Sequence, residues 1–206
     1  MPSPLICLIT GDRLSPQTTL AVIAAAARAG VGLVQVRESR LDDRALLDLA
    51  RRAVTVTTGT GCRVVVNERV DVALAAGASG VHLRGRSFAA SRVRAMVPAG
   101  FVVGRSVHTL AEARAADAEG GCDYLIFGTV FASRSKPADH PIAGVDALAA
   151  VCRSVRLPVL AIGGVGPQNA EEVARAGAAG VAGISLFEDA ASISGVVAAV
   201  RRGFDS

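Results

Sequence analysis

The sequence predicts an α/β protein built as a single (β/α)8 TIM barrel, with eight parallel strands and one domain over residues 1–206. Three observations carry that prediction. Four segments repeat one pattern of helix end, glycine and apolar strand: Arg28-Ala-Gly-Val-Gly-Leu-Val-Gln-Val36, Ala75-Ala-Gly-Ala-Ser-Gly-Val-His-Leu83, Glu119-Gly-Gly-Cys-Asp-Tyr-Leu-Ile-Phe127 and Arg175-Ala-Gly-Ala-Ala-Gly-Val-Ala-Gly-Ile184. Between them lie four short aliphatic runs, Leu5–Ile9, Arg63–Asn67, Phe101–Gly104 and Pro158–Ile162. None alternates with polar residues, as expected of parallel strands covered on both faces. Amphipathic stretches separate all eight, and eight such units in 206 residues match a minimal closed barrel.

Each element has a local reason. The first strand is Leu5–Ile9, and Ser15-Pro16 opens a helix over Gln17–Ala29. The second strand ends at Val36 and is followed by a helix over Asp42–Thr57. Arg63–Asn67 leads to Val70–Ala76, and the strand ending at Leu83 leads to Ala89–Val97. After Phe101–Gly104, Thr109 and Glu112 form a capping box for Leu110–Glu119. The strand ending at Phe127 is followed by a long polar loop and a helix over Gly144–Val155. Pro158–Ile162 precedes Pro167 and a helix over Asn169–Ala176; Asp189 opens the last, to Arg202. Gly30, Gly77, Gly120 or Gly121, and Gly177 stand where a left-handed residue closes a helix. An open doubly wound sheet is the competing architecture, but Thr10-Gly-Asp-Arg after the first strand is not a GxGxxG turn.

Composition narrows the function classes. Hydrophobic residues make up 51% of the chain and aromatics 3%, with no Trp, so disorder is excluded and base-stacking platforms are scarce. The formal charge of +4 is spread along the chain, which argues against nucleic acid and suits small anionic ligands. Cys7, Cys62, Cys122 and Cys152 are too dispersed for a zinc site, and Cys7 and Cys122 read as buried small hydrophobes. No run approaches a membrane span and no signal peptide is read at the start, so a cytoplasmic enzyme with no membrane partner is expected, with homo-oligomerisation possible.

In a barrel the residues just after each strand form the functional rim. Gly163 and Gly164 after the seventh strand, with Gly183 and Ser185 after the eighth, read as a phosphate cradle of backbone amides. Ser133, Ser135 and Lys136, with Arg134, would add donors beside it, and the stretch 137–144 reads as a mobile lid. Gln35 and Arg37 share one side of the second strand and suit either a polar ring with an anion or a core ion pair. Asn67 and Glu68 follow the third strand, where Glu68 could contribute to a Mg²⁺ site. His82, Ser106 and His108 lie on or after the fourth and fifth strands, and each histidine read singly is a hydrogen-bonded structural residue.

Taken in order, these motifs resemble the thiamin phosphate synthase and thiazole tautomerase superfamily over nearly the whole chain. The landmarks are Gln35-Val-Arg37, Val66-Asn-Glu-Arg-Val-Asp71, Gly80-Val-His-Leu83, Gly104-Arg-Ser-Val-His-Thr109, Asp123-Tyr-Leu-Ile-Phe-Gly128, Val130-Phe-Ala-Ser-Arg-Ser-Lys136, Ile162-Gly-Gly164 and Gly180-Val-Ala-Gly-Ile-Ser185. The resemblance implies a thiazole phosphate held by Ser133, Ser135, Gly164 and Ser185. In the synthase branch it also implies a pyrimidine pyrophosphate, with its ring on Gln35, its pyrophosphate on Arg37, Asn67, Ser106 and Lys136, and Mg²⁺ as cofactor. The chain departs from that branch at Ser39, Glu68 and Ser87, where the synthase pattern has Lys, Asp and Asp. Arg84-Gly-Arg-Ser-Phe88 looks more like the tautomerase branch, which isomerises a thiazole carboxylate phosphate without a cofactor. That branch has a histidine where this chain has Thr129, so Glu68, His82, His108 or His140 is the expected acid–base group. A thiazole tautomerase is therefore the leading expectation, followed by a Mg²⁺-dependent synthase and by a non-catalytic protein binding the same phosphate.

Overall fold

The computed structural model describes residues 4–133, 137, 139–187 and 189–205. Strands β1 (Leu5–Ile9), β2 (Leu33–Val36), β3 (Arg63–Asn67), β4 (Gly80–Leu83), β5 (Val102–Val107), β6 (Tyr124–Phe127), β7 (Val159–Ile162) and β8 (Gly180–Gly183) close in chain order into a parallel barrel. The helices are α1 (Pro16–Arg28), α2 (Asp43–Thr57), α3 (Val70–Ala75), α4 (Ala90–Met96), α5 (Leu110–Glu119), α6 (Gly144–Ser154), α7 (Ala170–Arg175) and α8 (Ile193–Phe204). The expected (β/α)8 barrel is what the chain forms.

The repeated glycines do what helix termination demands. After α1, α3 and α7, Gly30, Gly77 and Gly177 have φ values of 90°, 67° and 88°. Behind each, two bonds close the helix: Gly77 N–H donates to Leu74 O and Ala78 N–H to Ala73 O, with equivalent pairs at Gly30 and Val31 and at Gly177 and Ala178. This is the Schellman arrangement, and it turns the chain directly into the next strand. Ser15, Asp42 and Thr109 cap α1, α2 and α5 by accepting backbone N–H bonds.

Strand alternation divides the core into two shells. Leu5, Cys7, Ile9, Leu33, Val65, Val102, Tyr124, Ile126 and Leu160 fill the barrel interior. Ile6, Leu8, Val34, Val66, Val81, Val103, Leu125 and Phe127 pack outward against the helices. Inside, Gly104 stands level with Tyr124 on the neighbouring strand, and a Cβ there would fall 2.1 Å from the phenol ring. The missing side chain is the space that Tyr124 fills.

Some boundaries differ from expectation. Strand β5 runs on to Val107, because Arg105 and Ser106 still pair with Leu125 and Ile126. Ser106 is therefore a strand residue. Helix α8 begins at Ile193 rather than Asp189, whose carboxylate instead accepts from Ala191 N–H in a preceding turn. A short 3-10 turn over Ser185–Phe187 follows β8. Cys122 precedes β6 and is half-buried, whereas Cys7 is buried inside the barrel.

Candidate active site

The C-terminal ends of the strands enclose a cavity of about 510 Å³. Ile9, Ile126 and Ile162, each near the inward end of its strand, together with Ile184 and Leu186, give it apolar walls. Gln35, Arg37, Asn67, Arg84 and Ser106 bound it on one side; Ser133, Gly163, Gly164, Gly183 and Ser185 bound it on another; His108 and His140 also line it. Ser135, Lys136 and Arg134 lie outside the described residues. A second hollow of about 330 Å³ adjoins it between the β1 and β8 ends and shares Ile9, Arg37 and Ile184.

Gln35 is buried at the end of β2 and donates through Nε2 to Asn67 Oδ1 at 2.9 Å. Its Oε1 is buried and has no partner among the described residues. A buried acceptor left open at a cavity wall is costly unless a ligand donor completes it. Arg37, just past the strand, is exposed, and its N–H is held by Thr10 Oγ1 at 2.9 Å. That geometry answers the core ion-pair alternative for Arg37: the side chain lines the mouth.

His82 lies on β4 beneath the cavity and is not among its lining residues. Its Nδ1 is 3.0 Å from Tyr124 Oη and its Nε2 is 2.8 Å from Ser106 Oγ. Burial drives its pKa down from the usual 6.5 to about 3, so the ring is neutral. Burial also pushes the Tyr124 phenol well above its ordinary range. A neutral ring carries one N–H, so His82 donates to one of these two hydroxyls and accepts from the other. His82 is thus removed from direct contact with a substrate, and Ser106 stands between.

His108 presents a different geometry. Its Nδ1–H donates to the Gly128 carbonyl at 2.7 Å, which leaves Nε2 available to a ligand. His140, on the loop after β6, comes within 3.1 Å of Thr129 Oγ1 through Nε2. The described part of the expected lid is tied to the barrel, with Ala143 N–H donating to Thr129 O at 2.8 Å.

The glycine pair behaves otherwise than expected. Gly163 and Gly164 have φ values of 95° and 63°, but a Cβ would meet Thr129 at 2.4 Å and the Ala132 carbonyl at 2.3 Å. The bare backbone seats the β7 turn against the β6 loop, and both glycines also line the cavity. Asn169 Nδ2 holds the Gly164 carbonyl at 3.0 Å, and Asn169 Oδ1 accepts from Gly166 N–H at 2.8 Å. The Gly164, Val165 and Ile184 amides have no acceptor among the described residues, as an anion cradle requires.

A family model described as thiamine monophosphate synthase matches residues 6–187. The chain belongs to the thiamine monophosphate synthase family. It is 44% identical over 168 residues to a putative thiamine-phosphate synthase of Geobacter sulfurreducens, covering 82% of this chain and 78% of that one. It is 40% identical over 184 residues to the thiamine-phosphate synthase of Methanoculleus marisnigri, covering 89% and 86%. The thiamine phosphate pyrophosphorylase structure from Pyrococcus furiosus superposes with a TM-score of 0.84 at 30% identity, covering 98% and 96%. No described helix is long and apolar enough to cross a membrane.

For the thiamine monophosphate synthase family the resemblance implied Mg²⁺, and the residues present fit it poorly. No carboxylate is among the described residues lining the cavity, and among the described residues no cluster of three His, Cys, Asp or Glu side chains could hold a metal. Glu68 does not line the cavity. Its carboxylate accepts from Arg84 N–H at 2.6 Å and pairs with Arg84 Nε at 3.2 Å. Ser39 is likewise engaged, donating to Asp12 at 2.5 Å. The isoleucine walls lie outside the polar rim motifs of the sequence. Their signal was parity, since each stands near the inward-facing end of its strand.

Proposed function

We propose that this member of the family works in thiamin biosynthesis as a thiamin-phosphate synthase, a transferase joining a pyrimidine pyrophosphate to a thiazole phosphate. The observation that carries the reading is the division of the cavity: an amide and cationic side at Gln35, Asn67, Arg37 and Arg84, isoleucine walls, and amides without acceptors at the β7 and β8 turns. Two phosphorylated rings of different polarity need such an arrangement. Gln35 Oε1 would accept from an amino group on the pyrimidine, and Ser106 with Arg37 and Asn67 would hold the pyrophosphate. Ser133, Ser185, the cradle amides and, carried from the resemblance, Ser135 would hold the thiazole phosphate. The carbon–oxygen bond to pyrophosphate breaks, the thiazole nitrogen attacks the released methylene carbon, and the products are thiamin phosphate and pyrophosphate. Isoleucine walls exclude the water that would otherwise capture that carbon.

The names of the relatives support this transferase over the tautomerase that the Arg84–Phe88 stretch suggested. One observation keeps the tautomerase as a second reading: His108 Nε2 and His140 both stand at the cavity, where a proton could be removed and returned. Mass spectrometry of the purified protein incubated with both substrates, with Mg²⁺ or with chelator, separates the two. Thiamin phosphate formation is expected. No product under either condition, with exchange of the thiazole carboxylate's ring proton into heavy water, would replace the synthase by the isomerase.

A further inference from the structure

We infer that the Arg84 guanidinium stands in for a divalent cation, so that this chain takes the pyrophosphate of its substrate by arginine and without a protein-held metal. The inference rests on the synthase reading. It begins at Glu68, the one described non-glycine residue in the left-handed region, with φ of 64°. Its own N–H is fixed to His82 O at 2.9 Å, and its carboxylate reaches the start of the β4–α4 loop. There both oxygens are engaged by Arg84, one by the backbone N–H and the other by Nε. A carboxylate so occupied is a poor ligand for Mg²⁺, which demands several oxygens in near-octahedral array.

The same ion pair orients the guanidinium. Arg84 is 71% exposed yet lines the cavity, and among the described residues only its Nε is engaged. The terminal N–H groups remain as a planar pair of donors, the form that matches phosphate oxygens. The loop carrying it is braced from beneath. Arg105, 11% exposed and paired with Glu119, donates to the carbonyls of Phe88, Gly85 and Ser87 at 3.2, 3.1 and 3.4 Å. Arg105 is a positioning residue: it fixes the loop from which Arg84 projects. With Arg37 lining the same cavity and no carboxylate among its described lining residues, the charged side chains that face it are guanidiniums. A divalent ion beside Arg84 would meet like charge, whereas a pyrophosphate would meet two guanidiniums.

Titration calorimetry of the full chain with inorganic pyrophosphate, in chelator and in excess Mg²⁺, tests this. The wild type is expected to bind in both, with affinities within about threefold of one another, and Arg84→Ala to lose at least about tenfold in chelator. Arg86→Ala, an exposed neighbour on the same loop that does not line the cavity, should bind like wild type. Thermal melting of each variant checks that it is folded. Wild-type binding that appears only with Mg²⁺, or that is unchanged in folded Arg84→Ala, would overturn the inference and leave the synthase reading standing. Absence of pyrophosphate binding in every condition would remove both.

Discussion

His82 sits between two hydroxyls with its ring uncharged, and this makes it a stability element. Its folded pKa of about 3 lies below the ordinary 6.5. Between those values an unfolded chain takes up a proton that the folded chain refuses, so its contribution is full above about 6.5 and is lost as pH falls toward 3. Unfolding free energies from urea titration should therefore fall on acidification, by up to roughly 1.4 kcal/mol per pH unit from this residue. His82→Gln should flatten that slope. Gln35 poses the complementary case, a buried acceptor with no partner among the described residues. Gln35→Leu should raise KM for the pyrimidine substrate by about tenfold or more, with KM for the thiazole phosphate little changed, in steady-state kinetics. These roles were only half legible in the sequence. The parity of Gln35 placed it at the mouth, but nothing local to His82 shows that Tyr124 arrives from another strand to bury it.

At the scale of elements, the glycines separate into two kinds that look alike in a sequence repeat. Gly77 closes α3 with φ of 67° and open space where a Cβ would stand. Gly180 begins β8 with ordinary φ, but a Cβ would lie 1.9 Å from the Leu5 carbonyl. Gly77→Ala should cost about 1–2 kcal/mol by left-handed strain alone, measured by denaturant unfolding. Gly180→Ala should cost more, because strand β1 must shift. Gly164 combines both problems, so Gly164→Ala should lower stability and thiazole-phosphate affinity together, as the β6 loop is displaced from the β7 turn. A loss of affinity with unchanged stability would instead assign the glycine to ligand approach.

Across the whole molecule, the +4 charge and a mouth rimmed by Arg37 and Arg84 should attract phosphate esters over the distance that salt permits. Raising ionic strength from about 0.02 to 0.3 M should lower kcat/KM severalfold by screening and leave kcat nearly constant. Stopped-flow binding at the two salt levels would locate the effect in the association rate. Closure of the barrel places this field, since it brings the ends of β2, β3, β4 and β5 to one rim although they are far apart in the chain.

The repeat of helix end, glycine and aliphatic strand determined the barrel, because Schellman closure and two-sided burial are local demands that each segment meets alone. Strand parity also placed Gln35 and Arg37 at the mouth, but it did not separate them from Glu68 and His82, which do not line the cavity. What only the tertiary structure decided were pairings across elements: Glu68 with Arg84, Arg105 under the β4 loop, Gly164 against Ala132, Tyr124 in the space of Gly104. Each depends on distance and direction between strands, and a one-dimensional pattern does not contain them. For that reason Glu68 read as a metal ligand in the sequence and is, in the folded chain, the partner of an arginine.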